Sequence, residues 1–525
     1  MNRQRGNVIP YLVALMITIL LAAQYVFNAY RITNETTRLQ NTADAAAYSV
    51  ANVYAQNHNF VALSNRALVA NQITMAQVVT MTSWSRMLNT FAQTINDIGQ
   101  FIPYVNSVTG YIENISNSVQ SGIEIAAPVI AQTIGLYSFM VARQQEFATP
   151  MVTLIAQEIL SEVIEANDPD VDYSAAEVSV TASTVAHLRE FHGPNDCLDV
   201  SDTVRNRGNF LSSQRETVAR CHQFRNVVME SRDGFSEART YRFSFPGMPS
   251  RITLFGIPAE DVSGVPLWSR ISIERAGETV LGGDTNSVNR RAPFTSWSAI
   301  DTISLHSSTR YWRLFRGTRT TRHQERVKLG VGHAYTGPEN DDGHHIIHEN
   351  QPAWRVNPRG SACTDLDYAN TRRARNDGGF ILMDVIGLNC NDLANDYSDS
   401  LNTSDNTGLQ SFKNLRQEGY VEMQSPAFIY IRKSGGKIQS AAEVAGNMSD
   451  SHALDEYPGA ADNAFHGAAG SAVFFRLQSD SWMRTDTLRR DRRLEFGNAY
   501  NPFWEPRLAS MTTAQRIALR TAVGG

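Results

Sequence analysis

The sequence predicts an α+β protein in which an N-terminal transmembrane helix continues into a helical stalk and then a mixed or antiparallel β-rich periplasmic head. Three observations predict it. An apolar run near the amino terminus carries no charge, a three-and-four-residue apolar rhythm continues beyond it, and after residue 167 the chain turns to short β-like runs between Gly, Pro, Asn and Asp clusters. These divide the chain into a cytoplasmic segment (1–7), a transmembrane helix (8–30), a stalk (31–166) and a head of one or two subdomains (167–525).

The first element follows from length and charge. No charged residue lies between Arg5 and Arg31, and Val8 to Tyr30 reads VIPYLVALMITILLAAQYVFNAY. At roughly 1.5 Å per residue this run exceeds the ~30 Å hydrocarbon layer. Pro10 falls in the first turn, where its missing N–H removes no helical hydrogen bond. Tyr11, Tyr25 and Tyr30 stand where interfacial aromatic belts form, and Arg3 and Arg5 place the amino terminus in the cytoplasm. A cleaved signal peptide is the alternative, but the best small-residue site, after Ala23, has Leu21 where a small residue is wanted. Prepilin-like cleavage after Gly6 is a second alternative, although Tyr11 stands where pilins usually carry Glu.

Beyond the span, Leu39, Ala43, Ala46, Ala47, Val50, Val53 and Tyr54 form one helical stripe with Asn41 and Asp44 off it, predicting a helix to about Gln56. Asn57, His58 and Asn59 read as a break. Phe60, Leu63, Ala67, Ala70, Met81, Trp84, Leu88 and Phe91 mark the stripe of a second helix. Val108, Ile112, Ile115, Val119, Ile123 and Ile130 mark a third, after Pro103. Thr149-Pro150 reads as the start of a last helix reaching about Ala166. Such stripes serve packing against neighbouring helices, within the chain or in a homo-oligomer or multi-chain bundle.

In the head, strand-like runs occur at 241–245, 252–257, 270–274, 310–315, 327–331, 380–386, 428–431 and 472–477, without regular helical alternation. Thr512-Thr513-Ala514-Gln515 has capping-box spacing before a short terminal helix. The 525 residues carry a net charge of -5, so no basic excess points to nucleic acid. Four cysteines, Cys197, Cys221, Cys363 and Cys390, are too few for a disulfide-stapled miniature fold. In an oxidising compartment, sequential pairing into two disulfides is the simplest of three connectivities, and four reduced thiols are the alternative.

Two local patterns invite chemistry. His344, His345 and His348 place three imidazoles together, the residue type zinc favours, but the zincin order is absent and Asp341-Asp342-Gly343 and Gln351-Pro352 frame a loop. Asp396-Tyr397-Ser398-Asp399-Ser400 has the D-x-S-x-S form of a metal-ion-dependent adhesion site, yet follows a polar stretch rather than a buried strand. No phosphate-binding loop, dinucleotide fingerprint or nucleophile elbow occurs. The residues therefore predict no cofactor and no catalytic set. A membrane-tethered periplasmic metal-dependent hydrolase and an envelope binding or adhesion module are the alternatives.

Arg5-Gly6, the apolar span and Leu39-Gln40-Asn41-Thr42-Ala43-Asp44-Ala45-Ala46-Ala47 resemble the amino-terminal region of TadG-like proteins of the tight-adherence (Flp) pilus assembly system. The segments Ser64 to Asn71 and Asn501 to Leu508 also resemble stretches of long bacterial members. The resemblance implies a non-enzymatic role in building or anchoring a pilus, from the inner membrane with the bulk of the chain periplasmic and other pilus-assembly proteins as partners. The small-residue face Ala43 to Ala47 would permit close helix packing.

Overall fold

The structure is a computed structural model that describes residues 8–99, 106–198, 212–237, 239, 241–244, 265–281, 294–312, 320–337, 355–356, 366–367, 400–403, 407–416, 423–438, 464–475 and 497–522. The helices are α1 (Ile9–Gly99), α2 (Asn106–Asn167), α3 (Ser174–Leu188), α4 (Ser212–Glu230) and α5 (Thr513–Ala522). The strands are β1 (Phe191–Asn195), β2 (Tyr241–Ser244), β3 (Val265–Leu281), β4 (Trp297–Trp312), β5 (Thr320–Tyr335), β6 (Arg355–Val356), β7 (Leu366–Asp367), β8 (Phe412–Leu415), β9 (Met423–Ser434), β10 (Ala464–Phe475) and β11 (Trp504–Ala509). This is an α+β fold.

α1 runs unbroken for 91 residues. Between Pro10 and Gly99 it contains no proline or glycine, so no residue removes a ladder hydrogen bond or relaxes the backbone. The break expected at Asn57, His58 and Asn59 does not occur. These polar residues stay helical because each finds a buried partner in the fold. α2 likewise passes through Pro150, where a new helix was expected to begin. Gln145, Val152, Ala156, Leu160 and Ile164 remain buried on one face across the proline, and that packing offsets the ~3 kcal/mol that an interior proline costs. The terminal helix starts as expected, with Gln515 N–H donating to Thr512 Oγ1 at 3.2 Å and Thr512 N–H to Gln515 Oε1 at 2.8 Å.

Of the three expected stripes the first is buried, the second is displaced and the third lies on the surface. Leu39, Ala43, Ala46, Ala47, Val50, Val53 and Tyr54 are all buried, but Leu63 and Met81 are exposed, and the buried apolar positions there are Val61, Leu68, Met75, Val79 and Met87. Because the helix is unbroken, the phase of the buried face from Leu39 to Tyr54 carries on through this segment. On α2, Ile112, Ile115, Val119 and Ile130 are exposed.

The chain divides into two compact units, residues 1–65, 144–193 and 413–525, and residues 66–143 and 194–412. In the first, β10 lies between β11 and β9, antiparallel to both, with Gly470↔Ala509 and Ile429↔Ala469 in register and a bulge between Ser471 and Val473. Its core joins Leu39 to Val61, Val152 to Ile164 and α3 to Ile429, Ile431, Phe465, Val473 and Trp504.

In the second unit, β2-β3-β4-β5 form an antiparallel meander. Residues 66–99 of α1 approach β5 closely. A Cβ on Gly332 would lie 2.0 Å from the Ser83 carbonyl oxygen, so glycine is required there. Trp297 Nε1 donates to Gln72 Oε1 at 2.7 Å, and the Thr80 and Thr279 hydroxyls share a hydrogen bond of 2.6 Å. Cys197 and Cys221 form a disulfide. Cys363 and Cys390 lie outside the described residues, as do the strand-like runs 252–257 and 380–386.

Candidate functional site: the membrane root and the buried clusters of the first unit

Every large apolar side chain from Val8 to Val26 is more than half exposed or close to it, and Ile9–Asn96 contains a stretch long and apolar enough to cross a membrane. Soluble proteins rarely expose so continuous an apolar surface, and it is consistent with a membrane anchor. The helix then passes from an exposed apolar surface to a buried one within a few residues.

An ionic cluster stands at that transition. Lys433 on β9 is 3% exposed and its Nζ lies 2.8 Å from Asp168 Oδ2 and 3.2 Å from Glu35 Oε2. Arg31 faces Glu35 at 3.8 Å, and Arg38 donates to the Asn167 carbonyl as well as standing 3.8 Å from Asp168. Charges taken this far out of water persist where each has a partner. The cluster joins the first protein-covered turn of α1, the end of α2 and β9. Sequence reading did not assign it, because Glu35, Asp168 and Lys433 are far apart in the chain and each alone looks like a solvated charge.

The next turns of α1 are the family-like stretch. Leu39, Ala43, Ala46 and Ala47 are buried, Asn41 is exposed and Ala45 and Asp44 are half-buried. Gln40 Nε2 donates to Asp44 Oδ1 and to the Ala468 carbonyl, each at 3.0 Å, and Ser471 Oγ donates to the Ala47 carbonyl at 2.5 Å. A Cβ on Gly467 would come 2.9 Å from the Leu39 carbonyl oxygen. The alanine face read from sequence as a helix-packing surface is thus laid on β10, where small residues on both sides let a helix backbone meet a strand.

A second buried cluster sits one turn past Tyr54. His58 and His187 are almost wholly buried, and with Glu190 they present ligand-type atoms within 4.8 Å of one another. Ser425 Oγ lies among them, 2.6 Å from His187 Nδ1 and 3.2 Å from His58 Nε2. It is placed there by the bulge in β9, with Ser425 held at φ 48°, a conformation that costs a non-glycine residue of order 1 kcal/mol. The Ser425 N–H and hydroxyl donate to the Glu190 carboxylate. His187 Nδ1–H donates to Ser425 Oγ while Asn57 Nδ2 donates to His187 Nε2 at 2.8 Å. His58 Nε2–H faces Glu190 Oε2 at 3.4 Å. Among the described residues His58 Nδ1 has no hydrogen-bond partner. Asn59 adds a further anchor, exchanging hydrogen bonds of 3.0 Å with the Trp504 backbone in both directions.

The cluster therefore acts as a polar clamp between α1, α3 and β9. It accounts for the helical Asn57-His58-Asn59 sequence, whose legible signal was the lack of any proline or glycine nearby. Burial pushes the His187 imidazole well below its ordinary value, with His58 and Lys413 acting in the same direction, and burial also lowers His58 against the opposing pull of Glu190.

Both histidines are neutral in the folded protein and free to charge once unfolded. Below pH ~6.5 the unfolded chain then binds more protons, and stability falls as pH drops, by up to about 1.4 kcal/mol per pH unit for each histidine. Amide exchange of α3 and β9 should be flat with respect to this effect above pH 7 and accelerate toward pH 5, with a smaller acceleration in His187→Gln. Equal slopes in the two proteins would mean that burial does not lower the His187 imidazole.

Of the residues singled out from sequence, His344, His345 and His348 and residues 396–399 lie outside the described residues. Ser400 is described, and its hydroxyl donates to the Gly337 carbonyl.

Residues 6–53 match the family model described as putative Flp pilus-assembly TadE/G-like. No curated protein matches the chain, and no solved structure does. The matched segment holds both the exposed apolar root and the alanine stretch laid on β10.

Proposed function

We propose that this chain, whose residues 6–53 are TadE/G-like, is a non-enzymatic, membrane-anchored component of Flp-type pilus assembly. It crosses the inner membrane once with its amino terminus in the cytoplasm and the bulk of the chain in the periplasm. Its helices and β-rich parts contact other pilus-assembly proteins. The observation that carries the reading is the coincidence of the family match with a charge-free exposed helix that becomes buried immediately afterwards. Arg3 and Arg5 before the span support the orientation, and the Cys197–Cys221 disulfide fits an oxidising compartment.

Deleting the gene in its host should abolish surface pili and adherence, with rescue by the wild-type chain. Leu15→Arg together with Leu20→Arg should fail to rescue and should reduce recovery in the membrane fraction, since a cation in mid-span costs about 2.5–3.5 kcal/mol. Unchanged piliation after deletion would overturn the proposal.

A further inference from the structure

We propose that His58, His187 and Glu190 form a zinc-binding site that fastens α1 to the end of α3 within the first unit. The donor set is chemically specific. Two imidazoles and one carboxylate are a combination zinc takes in three-ligand sites, with an oxygen of water or substrate in the fourth position. Each residue offers one ligand atom, and all of these lie within 4.8 Å of one another. His58 comes from α1, His187 from the last turn of α3 and Glu190 from the segment just after it.

Distances distinguish a shared ion from a simple hydrogen bond. His58 Nε2 stands 3.4 Å from Glu190 Oε2 and 3.2 Å from Ser425 Oγ. A charge-assisted hydrogen bond closes to about 2.7–2.9 Å, whereas two ligands of one tetrahedral zinc, each bonded at about 2.0–2.1 Å, stand about 3.3 Å apart. The Ser425 hydroxyl, also 2.6 Å from His187 Nδ1, stands at the point on which the three ligands converge. A change of its χ1 rotamer clears that point for the ion. Ser425 is held at φ 48°, and strained residues of this kind gather at ligand clamps.

The surroundings hold the ligands in place. Tyr54 stacks on the His187 ring with centroids 4.5 Å apart, and Phe191 and Trp504 flank the His58 ring at 4.9 and 4.7 Å. The Asn57 amide bonds to His187 Nε2 at 2.8 Å. With zinc on Nδ1 the imidazole proton sits on Nε2 and the amide turns its oxygen to it, the outer-shell hydrogen bond that metal-bound histidines keep. Among the described residues the Glu190 carboxylate faces His58, and burial lowers both imidazoles. Its negative charge thus lies against neutral rings, where a cation balances it. The Glu190 side chain is 25% exposed, which gives the ion and a water ligand a way in.

The test uses the full chain in detergent micelles, carrying His344→Ala, His345→Ala and His348→Ala so that those imidazoles take no metal. After treatment with a chelator, this parent is given zinc at about pH 7.5, where histidine is neutral, and bound metal is counted by elemental analysis after desalting. One zinc per chain should remain. His187→Gln and Glu190→Gln should each weaken binding by more than the ~100-fold that outer-shell changes cost. Zinc should also slow amide exchange in the parent at residues 54–60 and 184–191, a measurement that does not depend on either variant folding. The acid-side acceleration of exchange given above is read on the chelator-treated chain. No retained zinc, unchanged affinity in His187→Gln, or zinc bound without slower exchange in these two segments would each overturn the proposal. The inference stands apart from the pilus reading, since metal content and piliation are measured independently.

Discussion

Lys433→Met should lower the stability of the first unit by about 3–5 kcal/mol, because it leaves Asp168 and Glu35 buried without their shared cation. Asp168 has a side chain 1% exposed, and after the substitution its nearest cation is Arg38 at 3.8 Å. Methionine keeps most of the apolar stem, so the loss reads charge rather than packing. Adding Asp168→Asn to Lys433→Met should recover part of the loss by removing one of the stranded charges, giving a double-mutant coupling well above 1 kcal/mol. Amide exchange in β9 and β10 measures it. Additive effects of the two substitutions would show that the pair does not interact as described.

The second large effect belongs to the other unit. Asp301 is buried in β4 and accepts two hydrogen bonds from Arg239, at 3.0 and 2.9 Å, with Arg275 at 3.5 Å. Burial pushes its carboxyl upward and the two guanidiniums pull it back. A Cβ on Gly277 would lie 2.2 Å from Asp301 Oδ1, so the facing strand has been cleared for this pair. Asp301→Ala should destabilise the β2-β3-β4-β5 meander by about 3–5 kcal/mol, leaving the nearly buried Arg239 guanidinium without its carboxylate. The unfolding transition of this unit should move to lower denaturant while exchange in β9–β11 is preserved. A change below about 1 kcal/mol, the range of exposed pairs, would mean that water reaches the pair and supplies what the carboxylate does.

These two ion clusters mark where sequence reading stops. Lys433 and Glu35 are 398 positions apart, and Asn57 and His187 are 130 apart. A polar residue within a helical run carries no local sign of a distant partner. Asn57, His58 and Asn59 consequently read as a break, and the stripe after them was placed on the wrong face. The α2 stripe is a different case. Its 3.5-residue rhythm was legible from Ile112, Ile115 and Val119, but a rhythm does not say whether the chain itself covers the face.

The sequence by itself determined the charge-free span, the buried face from Leu39 to Tyr54, the strands around residues 270, 330, 430 and 472, and the TadE/G-like segment. Each depends on composition or on neighbours within a few residues, which is the range of helical and strand periodicity. Tertiary structure alone decided that Ala43 to Ala47 lie on β10, that α2 continues through Pro150, and that His58, His187, Glu190 and Ser425 close one network. Those outcomes are set by which groups meet in a low-dielectric interior, where an unpartnered donor or charge costs more than any local propensity supplies.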